Sequence, residues 1–195
     1  GSTPWQSKDP IVIAAQIIDG LQTLVSRDSE LTKEAAVVSV GSIHGGLRFN
    51  IIPEDVEMIG TIRTLDPEMK EVIRERMHVL VPKIAEAYGA KATVEIQDGT
   101  AITFNDLDLT KQMLPTLEKV AGKENINLMN AMTGAEDFSY YQEKVPGLFF
   151  FLGGTPLDMN EEDAPSHHTP DFIVDDSGLL LGVKALTQLT LDYLE

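Results

Sequence analysis

The sequence predicts a chain of two parts: an antiparallel α+β module over residues 1–100, then part of a covered α/β sheet over residues 101–195. Three observations carry this reading. Two Asp-Pro pairs, Asp9-Pro10 and Asp66-Pro67, mark helix starts. The stretches between and after them alternate as half-buried strands do. Much later, Leu148-Phe149-Phe150-Phe151-Leu152 is continuously apolar, the pattern of a strand covered on both faces.

Taken in order, Asp9 caps a first helix whose apolar stripe is Ala14, Ile17, Ile18, Leu21, Leu24 and Val25. Ala35 to Ile43 is short and β-branched, a strand that Gly45-Gly46 ends. Asp55 to Leu65 is a second strand, with Val56, Met58, Gly60 and Ile62 on one face and Glu57, Ile59, Thr61 and Arg63 on the other. The helix behind Asp66-Pro67 aligns Met69, Ile73, Met77, Leu80 and Ile84 and stops near Gly89, with Pro82 as a bend or an earlier end. Lys91 to Gln97 alternates strictly, with Ala92, Val94 and Ile96 inward, as a third strand. Helix, strand, strand, helix, strand is a ferredoxin-like βαββαβ unit lacking its first strand. One sheet edge is then expected to stand open.

Beyond residue 100 the character changes. Asn105 to Gly122 is an amphipathic helix (Leu109, Met113, Leu117, Val120) with Pro115 inside it. A strand is expected at Asn127–Met132, a helix start at Gly134–Asp137, and a buried strand at Leu148–Leu152. Gly153 to Ser166 is an acidic loop. Asp175-Asp176 caps a last helix with Leu179, Val183, Leu186, Leu189 and Tyr193 inward.

Composition narrows the function. Hydrophobic residues make up 43%, enough for real cores, but 31 acidic residues against 15 basic give a net charge of −16. That argues against nucleic acid or an anionic membrane as partner, because phosphate binding needs Lys/Arg clusters and the sequence has none. No apolar run approaches the roughly 18 residues of a membrane span. Without cysteine there are no disulfides and no thiolate chemistry. The chain starts Gly1-Ser2 without Met, so its native start is expected upstream and its localisation is not legible.

Few residues could do chemistry. His167 and His168 stand side by side in Ser166-His167-His168-Thr169-Pro170-Asp171-Phe172. Imidazole is the commonest metal ligand, yet a catalytic metal needs about three protein ligands and an open position. From spacing alone, a loop histidine before Thr-Pro is more often a surface or capping residue. Arg63, mid-strand, and Asn50, after Gly45-Gly46-Leu47-Arg48-Phe49, suit a small carboxylate through paired, charge-assisted hydrogen bonds. Arg63 equally suits an ion pair with Glu57, and Arg48 is a competing cation. Glu136-Asp137 suits helix capping better than general-base work. His44 is a proton carrier or a turn residue, and His78 falls within a helix as a structural residue.

Together these segments resemble the second half of an M20-type metallopeptidase, of the amidohydrolase branch that includes aminoacylases, hippurate hydrolases and hydrolases of auxin–amino-acid conjugates. The matching stretches are Gly1–Trp5 with Asp9-Pro10-Ile11, Gly45-Gly46 through Asn50-Ile51-Ile52-Pro53, Gly60-Thr61-Ile62-Arg63, Gly134–Phe138, Val145-Pro146-Gly147, and His168–Phe172. The resemblance implies a ferredoxin-like lid and dimerisation domain at 1–100, incomplete at its start, and the C-terminal segment of an α/β zinc-peptidase catalytic domain at 101–195. It implies that His168 is one ligand of a dinuclear zinc or manganese site, and that Asn50 and Arg63 grip the substrate carboxylate, commonly across a homodimer. The implied reaction is hydrolysis of the amide bond of N-acyl amino acids or small peptides by metal-activated water. The remaining ligands and the general-base Glu are expected outside this chain, as is a lid histidine just before Gly1. By itself the chain is therefore expected to be inactive. The alternative of another class is a non-catalytic dimerisation and substrate-gripping module.

Overall fold

A computed structural model describes residues 1–195, with the side chain of Glu161 left out of the description. The chain divides into two compact units, Gly1–Ile102 with Met132–Ala135, and Thr103–Ala131 with Glu136–Glu195.

In the first unit, α1 (Pro10–Ser26) starts where the sequence places it, the Asp9 carboxylate accepting from the N–H groups of Ile11 and Val12. Its buried residues are Ile13, Ala14, Ile17, Leu21 and Leu24. The strands β1 (Ala36–His44) and β2 (Glu57–Thr64) form a two-stranded antiparallel sheet. Val38 pairs with Ile62 and Val40 with Gly60, but the next partners are Ser42 and Ile59, so Gly41 is the extra residue of a β-bulge. Gly60 must be glycine, because a Cβ there would collide with the Ser39 carbonyl oxygen. Helix α2 (Pro67–Ala87) contains Pro82 in its interior and buries Met69, Ile73, Met77, Val81 and Ala85. One core joins α1, α2 and the inner face of the sheet, with Leu24 and Ile73 fully enclosed. Gly89, at φ +73, turns the chain just beyond α2.

The third strand does not form. Residues 91–97 keep their alternation, and Ala92, Val94 and Ile96 pack against the core, but among the described residues no strand pairs with them. Alternation selects a face, whereas a ladder needs a neighbour for its N–H and C=O groups. Two helices and one antiparallel strand pair form, a small sheet with helices on it rather than the complete ferredoxin-like unit expected.

In the second unit, α3 (Leu107–Ala121) is capped by Asp106 and buries Met113, Thr116 and Leu117. It packs on α5 (Leu179–Leu194). The buried Thr116 hydroxyl donates to Asp192 at 2.6 Å, and Gln188 donates to the other carboxylate oxygen. The short α4 (Ser139–Gln142) lies between them in sequence.

Three expectations fail in this unit. Asn127–Met132 is not a strand, and its Leu128 side chain is fully exposed. Leu148–Leu152 is not a strand either. Its Phe149 N–H and C=O are both taken by the Asn105 side-chain amide, at 2.7 and 2.8 Å, in place of a neighbouring strand. On α5 the expected face is mostly open: Leu179, Val183, Leu186 and Tyr193 are exposed, Leu189 is half-buried, and Ala185 is the buried residue. A helix apolar on most sides has no face its pattern alone selects, and the Thr116–Asp192 bond turns the Ala185 side toward α3.

Asp66 ties the loop before β1 to the start of α2. Its carboxylate accepts from the Met69 N–H at 2.7 Å and meets Lys33 at 2.6 Å. Lys33, then the Met69 N–H, holds the Asp66 carboxyl below its ordinary range. A lowered folded-state pKa contributes stability that is complete above the unfolded value and lost as pH falls through the folded one. The denaturation midpoint of the first unit should therefore drop as pH falls below about 4, and Lys33→Met should lower the midpoint at neutral pH while flattening that drop, as measured by urea titration followed by circular dichroism.

Candidate functional site

The residues that sequence reasoning singles out fall into both units. Asn50 and Arg63 belong to the first. Arg63 lies on β2, opposite Val37, on the sheet face turned away from the helices. Among the described residues it makes no ion pair; the suggested partner Glu57 instead stands opposite His44 at the other end of the ladder. Asn50 closes the exposed turn after β1, and no hydrogen bond joins it to Arg63. Arg48, in the same loop, is also exposed and unpaired among the described residues. His78 lies on the solvent side of α2.

His168 belongs to the second unit. Its ring is exposed, in a turn that the Thr169 hydroxyl closes on the Ser166 carbonyl at 2.8 Å. The Phe172 N–H donates to the Thr169 carbonyl, and the His167 ring meets Phe172 edge-on at 4.8 Å between centroids. His168 is the one non-glycine residue with positive φ, at 64°, among the described residues. Left-handed backbone is unfavourable for a residue with a Cβ and gathers at functional positions. His167, by contrast, is used in packing. Glu136 does cap, accepting from the Phe138 N–H at 3.3 Å ahead of α4.

No group of three or more His, Asp or Glu side chains that could hold a metal is present among the described residues. One imidazole by itself falls short of the ligand count of a catalytic metal.

The profile of peptidase family M20/M25/M40 matches residues 8–192. The chain belongs to that family. It is 33% identical to thermostable carboxypeptidase 2 of Saccharolobus solfataricus, over 99% of this chain and 48% of that protein. It is likewise 33% identical to an N-acetyl-L-cysteine deacetylase of Bacillus subtilis, over 91% of this chain and 40% of the relative. The crystal structure of Bacillus subtilis YxeP, described as a dinuclear metal binding peptidase of the M20 family, superposes with a TM-score of 0.65 at 30% identity, covering 94% of this chain and 46% of that one. The chain thus spans about half the length of the curated relatives it matches.

Sequence reasoning missed three arrangements. The Ser42 hydroxyl bonds His44 Nε2 at 2.8 Å. Asn105 bridges Phe149, and Thr116 meets Asp192 across α3 and α5. The first was partly legible, as Ser42 and His44 are two residues apart and share a face by simple alternation; Ser39 joins that face only because of the bulge. Nothing in the sequence pattern signals the other two.

Replacing His168 tests its backbone without reference to activity. His168→Gly accepts the left-handed conformation freely and His168→Ala does not, so the glycine variant should be more stable by about 1 kcal/mol. Thermal unfolding of the two variants measures the difference.

Proposed function

We propose that this chain is the substrate-gripping and C-terminal part of a metal-dependent amidohydrolase that cleaves the amide bond of N-acyl amino acids or small peptides. The observation that carries it is Arg63, a guanidinium without a carboxylate partner among the described residues, held on the open face of a sheet in a member of an amide-hydrolysing family. A fixed guanidinium offers a carboxylate two parallel charge-assisted bonds. With Asn50 it would orient the amino-acid end of the substrate, a contribution of positioning rather than bond-making.

His168 would supply one ligand to a divalent centre, zinc or manganese, whose other ligands lie elsewhere in the complete subunit. The names of the carboxypeptidase, the deacetylase and the dinuclear peptidase support this reading. The lack of a three-ligand cluster among the described residues favours a narrower reading of the chain on its own, as a non-catalytic dimerisation and gripping module. The homodimer would form through the first unit, as a lid domain. The edge of β1 away from β2 has no strand beside it, and a groove of about 350 Å³ runs along it between α1 and Val38 to Ile43. Such an edge offers unpaired backbone groups to a second strand.

In the complete enzyme, Arg63→Ala should lower kcat/KM for N-acyl amino acids by roughly 100-fold, about the worth of a charge-assisted pair, mainly through KM. A loss of stability with unchanged kinetics would remove the anchor role. His168→Ala should lower the bound metal measured by elemental analysis, and full metal content would remove the ligand role. Light scattering of this chain should give a dimer mass. A monomer at all concentrations would exclude pairing through β1.

A further inference from the structure

The β1–β2 ladder has two faces, and core packing accounts for one. Val38, Val40, Met58 and Ile62 meet the helices. On the other face the directly opposed pairs are Val37–Arg63, Ser39–Thr61, Ser42–Ile59 and His44–Glu57. The bulge at Gly41 keeps Ser39 and Ser42 on one side although they are three residues apart. Read along the strands, this face presents a cation, two opposed hydroxyls, and a third hydroxyl bonded to an imidazole.

The first two hydroxyls are unaccounted for. Ser39 and Thr61 are exposed, and among the described residues neither side chain has a protein hydrogen-bond partner. Ser42 differs, being engaged with His44 at 2.8 Å. The electrostatics of the face are also unusual for this chain. Where acidic residues outnumber basic ones 31 to 15, one carboxylate stands here, Glu57, at the end away from Arg63. An anion drawn to Arg63 therefore meets no neighbouring negative charge on its own face.

Distance selects what the hydroxyls could contact. Opposed residues in an antiparallel pair have Cβ atoms about 5 Å apart, and same-face neighbours along a strand repeat at about 7 Å. That is about the span from the α-carboxylate of an amino acid to the polar end of a glutamine-sized side chain. Hydroxyls both donate and accept, so they suit a hydroxyl, amide or carboxyl group without selecting its charge.

We propose that Ser39 and Thr61 form a specificity element of the substrate site: with the α-carboxylate held by Arg63, their hydroxyls bond a polar side chain on the amino-acid half of the substrate. This rests on the reading of Arg63 as the carboxylate anchor. The substrate class it implies is N-acyl amino acids with hydrogen-bonding side chains, in preference to apolar ones of equal size.

The test compares a pair of similar length, N-acetyl-L-glutamine and N-acetyl-L-methionine, in the complete enzyme and in its Thr61→Val, Ser39→Ala, Thr61→Ser and Arg63→Ala variants. The unaltered enzyme should favour the glutamine derivative. Thr61→Val and Ser39→Ala should each lower kcat/KM for it roughly five- to tenfold, through KM with kcat little changed, and leave the methionine derivative within about twofold. Thr61→Ser should retain the preference, which a merely structural role would not require. Arg63→Ala should lower kcat/KM for both substrates. An unchanged glutamine-to-methionine ratio in Thr61→Val and Ser39→Ala, with both substrates lost in Arg63→Ala, overturns the specificity element and leaves the anchor standing. If Arg63→Ala changes neither substrate, the anchor falls and the specificity element with it.

Discussion

The antiparallel register of β1 against β2, with its single bulge at Gly41, is the constraint from which the first unit follows. Strand side chains alternate, so a one-residue slip would carry Val38 and Ile62 to solvent and turn Arg63 into the core. Burial of the aliphatic face against Leu24 and Ile73 opposes that slip. The absence of room for any side chain at Gly60 holds the strands close at the same level. Because the register is held on the apolar side, the polar side is positioned without bonds of its own. Arg63, Thr61 and Ser39 are aligned by a ladder they do not stabilise.

Backbone satisfaction explains where the rest of the chain departs from regular strands. Residues 91–97 rest their apolar side chains on the core, and Asp98 ties the end of the segment to Arg74 at 2.5 Å and to Lys70 at 3.6 Å. Side-chain packing and ion pairs thus hold a segment that no ladder holds. In the second unit Asn105 does for Phe149 what a strand would do, offering one acceptor and one donor in the geometry of a peptide. Phe149 then stacks with Phe138 and Phe151, at 5.7 and 5.2 Å between ring centroids.

Charge is distributed unevenly. Lys33, Lys70, Arg74, Arg76 and Lys83 each have a carboxylate within 4 Å, and these pairs tie loops to α2 or lie along it. Of the fifteen Lys and Arg residues, eight have no such partner among the described residues, Arg48 and Arg63 among them. Arg63 is the one Lys or Arg within the two strands and is unpaired among the described residues, while His168 is the exception in backbone conformation. One is an electrostatic irregularity and the other a steric one, and neither is explained by packing.

What the sequence determined by itself is local or periodic: the Asp-Pro starts of α1 and α2, the two strands within two residues of their ends, and the sidedness of Arg63 and Thr61. Capping and alternation act over a few residues, so a few residues reveal them. The family motifs were legible for the same reason, as short strings in a regular order. Tertiary structure alone decided which apolar segments became strands, which face of α5 was buried, and that Ser39 and Ser42 share a face. Each of those depends on a partner distant in sequence, whether a neighbouring strand, the Thr116 hydroxyl opposite Asp192, or the register that makes Gly41 a bulge. A pattern within one segment carries no record of what lies beside it.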